Sequence, residues 1–182
     1  MNDTKTSRSI AESRKLIFIH GMESAGTGAK ANLLRSRIPE ILTPTFYTYE
    51  PGMPYQELLA KRMAQLNTIL ETKVPWTLIG SSFGGLMATL YASHHPQKIE
   101  KMILLAPFLN VPEAAPQNLP STPLKIPVIV FHSRKDQVVP LKIVKPRAEQ
   151  LFSDLTYHIV EDDIHRLQKT AERLDWKALL QL

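Results

Sequence analysis

A serine flanked by glycines, Gly80-Ser81-Ser82-Phe83-Gly84 with Gly85 next, has the spacing G-x-S-x-G. A hydroxyl held in such a turn can attack an acyl carbon if a base removes its proton and a carboxylate orients that base. The glycine spacing selects Ser82 over Ser81 as the nucleophile. For the base, the chain offers six histidines, His20, His94, His95, His132, His158 and His165. For the acid, Asp136, Asp162 and Asp163 follow the serine in the sequence. No cysteine is present, which excludes a thiol nucleophile, thiolate metal sites and disulfides. His158, Asp162, Asp163 and His165 invite a metal reading, but they straddle a strand end and a loop without a recognised ligand spacing, so no metal is expected.

The motif alone is a weak signal, and its setting strengthens it. Trp76 to Gly80 is a short apolar run that predicts a buried strand, and Gly84 to His95 predicts a helix stopped by Pro96. Ser82 therefore falls at a strand-turn-helix junction, the setting of a nucleophile elbow, where Gly80 and Gly84 permit close approach of strand and helix. Further runs with strand character are Lys15 to His20, Thr45 to Tyr49, Ile99 to Ala106, Pro127 to His132 and Leu155 to Val160. Helices are expected over Ala29 to Ile38 and over Tyr55 to Leu70, where Leu58, Leu59, Met63, Leu66, Ile69 and Leu70 recur at helical spacing. Buried strands alternating with amphipathic helices predict an α/β fold, a mostly parallel central sheet with helices on both faces.

With the elbow in this setting, the chain resembles the α/β-hydrolase superfamily from about Lys15 to Leu182. The resemblance implies the chain order serine, acid, histidine. His165, in Glu161-Asp162-Asp163-Ile164-His165 just after the last strand, then stands where the family places its catalytic base. Asp136, in His132-Ser-Arg-Lys-Asp136-Gln-Val-Val-Pro140, matches the family segment that carries the acid. Asp162 and Asp163 are the rival acids, too close to His165 along the chain to reach its ring easily. His20-Gly21-Met22-Glu23 resembles the turn after an early strand, and family geometry would make the backbone N–H groups of Met22 and Phe83 the oxyanion hole. Read without the family, His20-Gly21 is a plain strand-ending turn.

His-Gly-Met-Glu-Ser-Ala together with Gly-Ser-Ser-Phe-Gly-Gly in so short a chain is similar to the small bacterial esterases. Larger relatives insert a helical lid where this chain has a connection from Pro107 to Ile126. That connection carries Pro107, Pro112, Pro116, Pro120 and Pro123, so a minimal fold without a helical lid is expected. The implied activity is hydrolysis of small carboxylic esters through an acyl-enzyme on Ser82, with no cofactor. A thioesterase, acyltransferase or peptidase could use the same triad, and a non-catalytic member of the fold could bind a small ligand or a protein.

Composition sets the remaining expectations. A 182-residue chain with 43% apolar and 21% charged residues suits one globular domain, and no apolar run approaches the roughly 18 residues that cross a bilayer. The domain is expected over 15–182, after a polar leader over 1–14 that lacks the apolar core of a secretory signal. The formal charge of +5 is scattered and not interleaved with aromatics, so no nucleic-acid partner is expected. These features predict a cytoplasmic protein, a monomer or small homo-oligomer, that acts on a small-molecule ester away from membranes.

Overall fold

Five strands form one parallel sheet in chain order, β1 (Lys15–Ile19), β2 (Trp76–Ser81), β3 (Ile99–Leu105), β4 (Leu124–Ser133) and β5 (Phe152–Val160). The computed structural model describes residues 15–71, 75–109 and 119–182. The expected leader at 1–14 lies outside the described residues, as does the 110–118 part of the proline-rich connection. All six residues of β2 are buried, so both faces of the sheet centre are covered, as an uninterrupted apolar strand requires. β5, at one edge, instead exposes much of its length.

Parallel neighbours need crossovers, and helices supply most of them. α1 (Ala29–Arg37) and α2 (Tyr55–Ile69) lie between β1 and β2. α3 (Phe83–His94) links β2 to β3, and α4 (Leu141–Leu151) links β4 to β5. Two short helices, α5 (Gln168–Arg173) and α6 (Trp176–Leu180), follow β5. α3 is buried without a break from Phe83 to Ala92, because it packs on β2 and touches β1, β3 and α2. α1 and α5 pack against each other.

Thr45 to Tyr49, expected as a strand, is not one. The chain meets β1 at a single bridge, where Phe18 N–H donates to the Leu42 carbonyl (2.8 Å) and Leu42 N–H to that of Leu16 (2.9 Å). Pro44 then has no N–H to continue a ladder. Beyond it, side chains satisfy the backbone in place of a neighbouring strand. Phe46 N–H donates to His20 Nε2 (3.0 Å), Tyr47 N–H to Gln65 Oε1 (2.7 Å), and the Tyr47 carbonyl accepts from Arg62 Nε (2.8 Å). β-propensity there was real, but these partners outcompeted a ladder. β4 also begins earlier than expected, at Leu124, with a register irregularity that accommodates Pro127.

Because every strand points the same way, the turns after β1, β2, β4 and β5 all emerge at the carboxyl edge of the sheet. They carry Gly21-Met22, Ser82, Asp136 and His165 respectively.

Candidate active site

β2 ends at Ser81 and α3 begins at Phe83, so Ser82 alone makes the turn, at φ 52° and ψ −115°. A left-handed φ at a non-glycine residue costs about 1–3 kcal/mol and persists only where the surroundings impose it. Here Ser82 N–H donates to the Leu105 carbonyl (2.9 Å), and the Ser82 carbonyl accepts from the N–H groups of Gly85 (2.8 Å) and Phe108 (3.0 Å). The flanking glycines are needed for approach. A Cβ on Gly84 would stand 2.0 Å from the Ile19 carbonyl oxygen, and one on Gly80 would stand 2.8 Å from that of Gly84. Ser81, the rival serine, is buried at the end of β2.

Three turns bring the predicted side chains together. Ser82 Oγ lies 3.0 Å from His165 Nε2, and His165 Nδ1 lies 2.8 Å from Asp136 Oδ2. The other oxygen of Asp136, Oδ1, accepts from the N–H groups of Val138 and Val139, both at 2.9 Å. Burial of Asp136 would raise its pKa, yet hydrogen bonds from His132, His165 and the Val139 N–H hold it well below the usual carboxylate range. The carboxylate is therefore charged at neutral pH and ready to accept from His165 Nδ1–H.

A second histidine stands behind this acid. His132, the next-to-last residue of β4, is fully buried. Its Nε2 is 2.8 Å from the Val139 carbonyl and 3.2 Å from Asp136 Oδ2. Its Nδ1 is 2.6 Å from Tyr157 Oη. Burial pushes the Tyr157 phenol well up, with the charge of Asp136 adding to the effect, so the phenol keeps its proton beside Nδ1. Nε2 faces two acceptors, the Val139 carbonyl and Asp136, and therefore carries a proton aimed at them. Only the four-residue spacing of His132 and Asp136 could have signalled this, and Tyr157 comes from another strand.

The rival acids have other tasks. Asp162 pairs with Arg173 on the surface. Asp163 Oδ1 accepts from Ile164 N–H (2.9 Å), and its Oδ2 accepts from the Thr170 N–H and hydroxyl (2.8 Å each), tying the loop to the first turn of α5. Ser133 Oγ donates to the Asp163 carbonyl (2.6 Å), and Lys30 Nζ donates to that of Arg166. Asp163 thus anchors the loop that presents His165. His158 stacks on Phe131 with ring centroids 4.8 Å apart, and among the described residues no three potential metal ligands converge.

Phe83 is the first residue of α3, so its N–H has no acceptor within the helix. Gly21 lies beside the elbow, since a Cβ there would stand 3.6 Å from Ser82 Cβ. Its neighbour His20 is fully buried, with Nδ1 2.8 Å from the Gly21 carbonyl and Nε2 accepting from Phe46 N–H. Burial pushes His20 down to about 4. The Gly21 hydrogen bond opposes this and the Arg62 charge adds to it. A histidine neutral in the fold but protonated when unfolded contributes stability that is complete above the unfolded pKa and lost as pH falls toward the folded one. Between pH 6.5 and 4 the chain should therefore lose on the order of 3 kcal/mol through His20 alone. Urea unfolding across that range should show a weaker pH slope in His20→Gln than in the wild type, and equal slopes would contradict this.

Of the apolar residues flanking the elbow, Phe83 and Leu109 are core, whereas Met22 and Phe108 are partly exposed. A groove of about 550 Å³ between α2 and the far half of α3, lined in part by Met63, Leu90, Tyr91 and His95, contains none of the three site residues. Among the described residues no helix is long and apolar enough to cross a membrane.

Residues 55–124 match a family model described as alpha/beta hydrolase fold. No curated protein matches the chain in sequence. Among solved structures, alpha/beta hydrolase domain-containing protein 10 from mouse superposes with a TM-score of 0.69 at 19% identity, covering 87% of this chain and 84% of its own. Est1E from Butyrivibrio proteoclasticus with ferulic acid bound also gives 0.69, at 16% identity over 92% of this chain and 88% of its own. An alpha-beta serine hydrolase homologue from Coxiella burnetii gives 0.61 at 16% identity, covering 88% and 83%.

Proposed function

We propose that this chain, which has an α/β-hydrolase fold, is a serine hydrolase that cleaves small carboxylic esters through an acyl-enzyme on Ser82. The observation that carries the reading is the unbroken hydrogen-bonded line from Ser82 Oγ through His165 to a charged Asp136. His165 Nε2 takes the hydroxyl proton as Ser82 Oγ bonds to the ester carbon. The negative oxygen that develops is received by the N–H groups of Met22 and Phe83. On collapse of the tetrahedral intermediate the C–O bond to the alcohol breaks, and His165 returns the proton to the departing oxygen. Water, activated by the same imidazole, then releases the acid and restores Ser82.

Every proton in this cycle moves among Ser82, His165, the substrate and water, so the proposal takes no metal or cofactor. It likewise takes a small-molecule ester as the sole partner of a cytoplasmic monomer or small homo-oligomer, without nucleic acid or membrane. Solved structures of similar fold support a hydrolase, one of them described as a serine hydrolase homologue.

Chain-length preference tests the substrate class. Met22 and Phe108 are partly exposed apolar groups near the elbow, and each methylene they cover contributes only about 0.8 kcal/mol. Efficiency should stop rising once the acyl chain outgrows them. Across C2 to C16 p-nitrophenyl esters, kcat/KM should peak between acetyl and hexanoyl. A maximum at dodecanoyl or beyond would contradict the small-ester reading, and preferential turnover of acyl-CoA thioesters or aminoacyl anilides would redirect it to a thioesterase or peptidase.

A further inference from the structure

Arg62, on α2, is fully buried, yet none of the described carboxylates forms an ion pair with it. Taking a guanidinium out of water is costly, so its compensation must be sought in what its donors touch. Nε donates to the Tyr47 carbonyl (2.8 Å), Nη1 to that of Gly21 (3.1 Å) and Nη2 to that of Met22 (2.8 Å). The group also lies over the Phe83 ring, 5.7 Å from its centroid. Burial pushes Arg62 down to about 10, which leaves it charged at neutral pH.

Two of these bonds flank one residue, Met22. The Gly21 carbonyl and the Met22 N–H belong to the same planar group, and with no cis bond among the described residues they point in opposite directions. The Gly21 carbonyl is held by Arg62 Nη1, by His20 Nδ1–H and by the Ser24 N–H (3.3 Å), and this fixes the Met22 N–H in the opposite direction, in a turn whose Gly21 lies beside Ser82. The positive charge at the carbonyl end also polarises that peptide and makes its N–H a stronger donor. A lysine could supply the charge but not a planar fork that reaches two consecutive carbonyls.

We infer that Arg62 is a positioning residue of the oxyanion hole, whose fork clamps the Gly21 and Met22 carbonyls so that the Met22 N–H is aimed at the acyl oxygen. This rests on the serine hydrolase reading above. A donor of this kind acts on the tetrahedral species more than on the bound ester, so the effect belongs in kcat and not in KM.

The test compares wild type, Arg62→Met and Arg62→Lys on p-nitrophenyl butyrate, with rates expressed per active site titrated by the nitrophenol burst. Affinity for an alkyl trifluoromethyl ketone, which forms an anionic hemiketal with a serine, is measured alongside. For R62M, kcat should fall roughly 100-fold with KM changed less than about threefold, and ketone affinity should fall with kcat. R62K should fall between R62M and wild type, and it carries the test if R62M does not fold. Wild-type kcat and ketone affinity in a folded R62M or R62K would overturn the inference, as would failure of both to fold, which would place Arg62 in the fold alone. A wild type that turns over no acyl substrate fails the serine hydrolase reading itself, a result distinct from either of these.

Discussion

Replacing Asp136 by asparagine should lower kcat of the folded protein roughly ten-thousand-fold while leaving KM largely intact. The size of the effect follows from which oxygen is already engaged. Oδ1 accepts from both Val138 and Val139 N–H, an arrangement that only the amide oxygen of asparagine can reproduce. Its NH2 must then replace Oδ2 and point at His165 Nδ1, now 2.8 Å from a donor in place of an acceptor. The imidazole can meet that donor only with its proton on Nε2, where it faces Ser82 Oγ and cannot accept the hydroxyl proton. Asp163→Asn provides the contrast. Its carboxylate serves Thr170 and Ile164 in the His165 loop, so that substitution should lower the unfolding midpoint and largely spare kcat of the folded protein. Steady-state kinetics and thermal unfolding of both variants check the pair, and a larger kcat loss in D163N would move the acid assignment to Asp163.

Ser82→Ala should cost still more, roughly a million-fold in kcat, because removal of the nucleophile disables the whole hydrogen-bonded unit at once. Stability should change little. Alanine keeps the Cβ that the turn at φ 52° already accommodates, and the backbone bonds to Leu105, Gly85 and Phe108 do not involve the hydroxyl. His165 loses a partner at Nε2, but its side chain is 18% exposed, so water can take that place. Ester turnover by purified S82A within a hundredfold of wild type would show that another group attacks the acyl carbon.

The sheet was readable in the sequence because its central strands are short apolar runs cut off by glycine or proline, and burial on both faces leaves little room for polar interruption. Ser82 was readable for a similar reason, since its strand, glycines and helix are contiguous. Asp136 and His165 are separated by 29 residues, and chain order within a resembling family, not local chemistry, singled them out. Where partners are remote and have no repeating pattern, the sequence is silent. Arg62 reaches back 40 and 41 residues to bare carbonyls, and on a helix read for its apolar stripe nothing marked it. Tyr157 and His132 meet across neighbouring strands, 25 residues apart. Thr45 to Tyr49 departs from its strand propensity for the same reason, since its backbone is satisfied by the remote side chains of His20, Gln65 and Arg62.

A fluorophosphonate tests the central claim most directly, because it bonds covalently only to a hydroxyl whose proton a neighbouring base removes, and fluoride leaves as phosphorus bonds to oxygen. Intact-mass analysis of the full chain should show one adduct per molecule, and peptide mapping should place it on Ser82 in wild type, with none in S82A. Wild-type protein that stays unlabelled, or that carries the adduct on Ser81 or any other residue, would contradict the account.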